Sequence, residues 1–113
     1  MKPITIIGVN YLREEGKQLY EIFDLQKEVM AVELIKPTDY SGKVLAYHTD
    51  SGLFLSVNTL SDASNVYSPY GFESYDRSTL VNPAKVKGLK EHKRGTKVIF
   101  DNDTYVIVRK KLY

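Results

Sequence analysis

Cysteine is absent from the 113 residues, which removes a disulfide framework, a thiolate nucleophile and a thiolate metal site together. Long apolar runs are absent as well. None approaches the ~20 residues that a helix needs to cross a bilayer, so no membrane insertion is expected. The first residues lack the apolar core and small-residue cleavage site of a secretion signal, and a cytoplasmic protein is the simplest expectation. There is no glycine-rich phosphate loop, nucleophile elbow or histidine–carboxylate set at a recognisable spacing. An enzyme is therefore the least supported class, and no cofactor is expected. Of the 2 histidines, His48 sits in an alternating apolar segment and reads as a half-buried packing residue. His92 lies in a polar turn with no partner at metal-ligand spacing. Asp101-Asn102-Asp103 lacks the later glycine and glutamate of a calcium loop and reads as a hairpin turn, so no metal site is expected.

What is present is an ordinary globular composition with an uneven distribution of charge. A hydrophobic content of 42% and a charged content of 27% suit one soluble domain with a modest core. The net charge of +2 conceals two unlike parts. Residues 1–84 hold 7 lysines and arginines against 11 acidic residues, whereas residues 85–113 hold 9 against 3. Such polarity raises the expectation of a polyanionic partner.

The dominant hydrophobic period is two. Residues 4–9 and 19–23 read as strands joined by a polar turn at 13–17. Residues 29–35 form a more buried strand, ended by Pro37, which cannot donate to a ladder. Residues 44–49 and 53–57 pair across Asp50-Ser51-Gly52. A short helix follows at about residues 60–67. Thr59 caps it, Asp62 takes the capping-box position, and Leu60, Ala63, Val66 and Tyr67 share a face. Pro69 and Gly71 stop it. Residues 85–90 resemble an edge strand in which lysines alternate with smaller or apolar residues. Turns at 92–95 and 101–103 then frame strands at 97–100 and 105–109. The expected fold class is mainly β: short antiparallel sheets with one short helix.

Residues 72–82 read Phe72-Glu73-Ser74-Tyr75-Asp76-Arg77-Ser78-Thr79-Leu80-Val81-Asn82 and fit no long helix or strand. Nearly all the basic excess follows this polar turn. By itself Arg77 reads as a solvated turn residue or as a partner of Asp76 or Glu73. Taken in order, however, residues 43–111 resemble the LytTR family of bacterial DNA-binding domains. The resemblance runs through the strand pair ending at Thr59-Leu60, the short helix, and Phe72 opening the Asp76-Arg77-Ser78 turn. Leu80-Val81-Asn82, the Lys85-Val86 strand and the last hairpin, closing at Val108-Arg109-Lys110, continue it. Upstream, Leu25-Gln26-Lys27-Glu28-Val29 leads into Val32-Glu33, where the family has a strand ending in an acidic residue. The family turn is usually His-Arg-Ser or His-Asn-Ser, and Asp76 takes the place of the histidine. Beside a phosphate backbone that charge calls for a partner, with Arg77 or a C-terminal lysine expected to supply it.

The resemblance implies a LytTR-like β fold over residues 1–113 as a single domain, with residues 1–25 a loosely matched N-terminal hairpin. It implies a transcription regulator that reads double-stranded DNA through loops rather than through a recognition helix. By position, Lys43, Arg77 and Arg109 reach base edges, while Ser41, Ser78 and Lys110 suit phosphate oxygens. Arginine's planar fork matches guanine O6 and N7, whereas hydroxyl and ammonium groups position the protein without reading sequence. Two copies on imperfect direct repeats, with bent DNA between them, are implied further. No upstream receiver domain is expected. The chain then acts alone under a membrane-bound inhibitor, a separate regulator or its own abundance, or it is a fragment of a longer regulator. The residues alone leave two alternatives open: a small β protein-interaction module, and a sequence-indifferent single-strand binder with a basic C-terminal face.

Overall fold

The computed structural model describes residues 2–11, 19–56 and 60–113, without the side chain of Ser61. The expected turn at 13–17, the strand end at Val57 and the Thr59 cap lie outside the described residues. Strands β1 (Thr5–Asn10) and β2 (Tyr20–Asp24) form a first hairpin, followed by the one-turn helix α1 (Leu25–Glu28) and β3 (Val29–Ile35). Strands β4 (Val44–Thr49) and β5 (Gly52–Ser56) precede helix α2 (Leu60–Tyr67). The next hairpin is β6 (Glu73–Asp76) and β7 (Thr79–Val81). Strands β8 (Val86–His92), β9 (Gly95–Phe100) and β10 (Tyr105–Val108) complete the chain. The first seven strands make one sheet in the order β2-β1-β5-β4-β3-β7-β6, and the last three make a second in the order β10-β9-β8. Their pairings are antiparallel throughout.

Period-two patterning produces this directly. In β1 the residues alternate between exposed and buried from Thr5 to Asn10. On its outer face the hairpin aligns Ile7 with Ile22 and Val9 with Tyr20, cross-strand pairs that support an edge strand. α1 is too short for any periodic signal and is made by its caps. The Asp24 carboxylate accepts the Lys27 N–H at 2.9 Å, and the Glu28 carboxylate accepts the Asp24 N–H at 2.6 Å. From sequence the segment reads only as a lead-in to β3.

Strands β3 and β7 are covered on both faces, which fixes how the two sheets sit. Val29, Val32 and Leu80 join Phe23, Tyr47, Phe54 and the α2 residues Ala63 and Tyr67 in one core cluster. Met30, Ala31 and Val81 meet Val98, Phe100, Val106 and Val108 of the second sheet in another. A register shift between Val29 and Ala31 lets two successive side chains join the second cluster. Asn82, at the end of the 72–82 segment, is buried and structural. Its N–H donates to the Met30 carbonyl at 2.9 Å, and its side chain accepts the Ala84 N–H at 3.3 Å.

Helix α2 is locked to the sheet by a buried hydrogen bond of 2.8 Å between the hydroxyls of Tyr47 and Tyr67. Burial, reinforced by this bond, pushes the Tyr67 hydroxyl well above its ordinary 10.0. Its folded value is raised, so its contribution is complete below about pH 10 and is lost as pH climbs beyond that. Tyr67→Phe should cost about 1–2 kcal/mol at neutral pH, because the Tyr47 hydroxyl is left buried and unpaired. The gap between variant and parent should narrow above about pH 10, which denaturant titrations across that range would measure.

Candidate nucleic-acid interface

Four separate pieces of chain end at one place. The register that pairs Ile35 with Val44 sets Lys36 and Lys43 beside each other at one end of β3 and β4. On the other side of β3, Glu33 pairs with Thr79, which brings the β6–β7 tip, Arg77-Ser78, to the same end. The second sheet adds Arg94 from its β8–β9 turn and Arg109-Lys110 from the strand end after β10. Together they line an open cleft of about 870 Å³.

The tip is held by short-range bonds. The Asp76 carboxylate accepts the Ser78 N–H at 2.8 Å, an Asx-type closure, and the Ser74 hydroxyl donates to the Asp76 carbonyl at 2.9 Å. The Leu34 N–H donates to the Ser78 carbonyl at 2.7 Å, which ties the tip to β3. Arg77 and Ser78 are left exposed on a fixed backbone.

The other arm is pinned at three points. Gly95 has φ of 144°, and a Cβ there would lie 2.3 Å from the Val108 carbonyl oxygen, so the two backbones run in contact. Thr96 is buried, and its hydroxyl donates to the Lys110 carbonyl at 2.6 Å and accepts the Leu112 N–H at 3.0 Å. The third point is Asp76 again, whose second oxygen accepts the Arg109 N–H at 2.7 Å.

The electrostatics follow from this arrangement. Lys36, Lys43, Arg77, Arg94, Arg109 and Lys110 line the cleft against the carboxylates of Glu33 and Asp76, a local excess of four positive charges. Both carboxylates are already engaged. Glu33 lies 3.2 Å from His48 Nε2, and Asp76 is bonded to the two backbone amides. Among the described residues none of the six cations sits in an ion pair. Other cations of the C-terminal part are not among the lining residues: Lys87 bonds Asp103, and Lys97 lies 4.1 Å over the ring of Tyr105, which lines the cleft.

The LytTr DNA-binding domain model matches residues 26–113. The chain belongs to the LytTR family. No curated protein matches it. The match begins after the β1–β2 hairpin, the part whose resemblance is loose, and includes every residue of the cleft. The LytTR domain is thus a DNA-binding domain of a transcription-regulator family, built from antiparallel sheets as expected. No helix among its described residues is long and apolar enough to cross a membrane. Among those residues no group of His, Asp and Glu is placed to hold a metal ion.

Of the six residues singled out from the sequence, five line the cleft of the LytTR domain: Lys43, Arg77, Ser78, Arg109 and Lys110. Ser41 is not among the lining residues. Its hydroxyl closes the loop before β4, donating to the Thr38 carbonyl and accepting the Thr38 N–H, each at 3.1 Å. Lys36 and Arg94 enter the cleft without having been singled out, because only the β3–β4 and β8–β9 pairings separate them from other surface cations. The partners of Asp76 also differ from expectation. They are backbone amides rather than Arg77 or a lysine, and nothing in local sequence marks an amide 33 residues away.

Proposed function

We propose that this LytTR domain, with residues 1–113 acting as one unit, is a transcription regulator that recognises a specific sequence of double-stranded DNA through its loops. The observation that carries this reading is the convergence of cations outside any ion pair, from four separate pieces of chain, in one cleft whose two carboxylates are already engaged by His48 and by backbone amides. A duplex backbone is the regular polyanion such a surface suits. Lys43, Arg77 and Arg109 are assigned to base edges. Ser41, Ser78 and Lys110 are assigned to phosphates, and Lys36 and Arg94 join that set. Because the two arginines project from hydrogen-bonded backbone, ordering them on DNA costs less than ordering mobile loops. The proposal extends to two copies on imperfect direct repeats with bent DNA between them. It places the protein in the cytoplasm, under a membrane-bound inhibitor or another separate regulator.

Selection from a random duplex library at near-physiological salt should enrich a motif. That duplex should then resist competition by excess random DNA. Binding should weaken roughly 10²–10³-fold between about 50 and 200 mM salt, as expected when several cations displace counterions. If no motif is enriched, the reading ends. Preference for single strands over duplex would replace it with sequence-indifferent binding.

A further inference from the structure

Asp76 stands where the family usually has histidine, and its surroundings explain how an acid is held in a cationic cleft. Its Oδ1 accepts the Ser78 N–H at 2.8 Å and its Oδ2 accepts the Arg109 N–H at 2.7 Å. One planar carboxylate therefore bridges the tip of the β6–β7 hairpin and the strand end after β10, which belong to different sheets. One bonded amide adjoins Arg77 and the other is that of Arg109. Both bonds are charge-assisted. A neutral imidazole offers one acceptor nitrogen, so a histidine could not accept both amides.

We infer that Asp76 is a positioning residue that sets the spacing between Arg77 and Arg109 and so couples the two base contacts. The inference rests on the DNA reading proposed above. The charge itself opposes DNA, since a carboxylate near phosphates weakens binding to every duplex alike. Relief of repulsion alone thus leaves specificity unchanged when the charge is removed, whereas loss of positioning lowers it.

Asp76→Asn separates them. The amide has the same shape but keeps one acceptor oxygen and puts a donor in place of the other. Affinity for random duplex should rise about twofold as repulsion is relieved. Preference for the selected site over random duplex should fall roughly five- to a hundredfold, the worth of about one base contact. Base preference should relax at the positions read by both arginines. In an Arg109→Ala background the same change should no longer alter preference at the Arg109 position, because the contact it acts through is gone. In the free protein, hydrogen exchange at the Arg109 amide should quicken.

If Asp76→Asn raises specific and random affinity by the same factor, the positioning role is overturned while DNA reading stands. If both affinities fall together along with the melting temperature, Asp76 is merely structural, and the positioning role is again overturned. A parent domain that selects no duplex at all instead overturns the reading on which the inference rests.

Discussion

Arg77→Ala combined with Arg109→Ala should remove most sequence discrimination while leaving most of the affinity for random duplex. Each arginine is exposed on a backbone fixed by hydrogen bonds, so the point from which its fork reaches is set before DNA arrives. A bidentate arginine–guanine contact is worth ~1–3 kcal/mol of discrimination, so losing both should cost about 2–6 kcal/mol on the selected site. Each single change should relax preference at its own base position. The two costs should not add simply, because one carboxylate links the two backbones. Lys110→Ala serves as the contrast. It should weaken all duplexes alike and lower the salt slope by about one. Quantitative binding to the selected site, to single-base variants and to random duplex at fixed salt distinguishes these outcomes. Uniform loss from all three changes would mean that base and phosphate roles are wrongly assigned.

Gly95→Ala should be strongly destabilising. Its φ of 144° lies where side chains other than glycine's are strained, and the added Cβ would lie 2.3 Å from the Val108 carbonyl oxygen and 2.7 Å from the Lys110 nitrogen. Both obstacles are backbone, so no side-chain rotation relieves them. Strain and displacement together should cost about 2–4 kcal/mol, which for a domain of this size lowers the melting temperature by roughly 10–20 °C. The residues pushed aside are those beside Arg109, so specific DNA binding should fall even well below the melting transition. Gly88→Ala is the control. A Cβ there meets nothing within 4 Å, and stability should change by less than about 0.5 kcal/mol. A Gly95→Ala protein that melts with its parent would show that the close approach to Val108 is not needed.

Much of the architecture was legible in the chain. Strands β3 and β4 fall on the stretches of alternating or continuous apolar residues that predict them, and α2 spans residues 60–67 with Leu60, Ala63 and Tyr67 against the core, while Val66 of the expected apolar face is exposed. The edge strand near Lys85 is β8, at the margin of the second sheet. These elements are dictated by neighbours in sequence, through pleat, helical period and turn chemistry. α1 was not legible, because one turn has no period and depends on the reciprocal bonds of Asp24 and Glu28.

The cleft divides along the same line. The resemblance to the LytTR family, carried by the Asp76-Arg77-Ser78 turn, the last hairpin and the elements between them, singled out Arg77, Ser78, Arg109, Lys110 and Lys43 by position. The charge asymmetry along the chain was a poorer guide. Lys36, Lys43 and Arg77 come from the acidic part, while Lys87 and Lys97 of the basic part are not among the lining residues. Which cations share a surface is decided by strand register and by the docking of the second sheet on β3 and β7. The role of Asp76 was decided there too. Its identity was plain, but the amide of Arg109 reaches it only because two sheets meet across the Met30–Val108 cluster. Sequence by itself determined the strands and hairpins outside residues 72–82 and the kinds of side chain available to DNA. Tertiary structure alone decided which of them stand together, because that depends on backbone groups whose positions local residue identity does not specify.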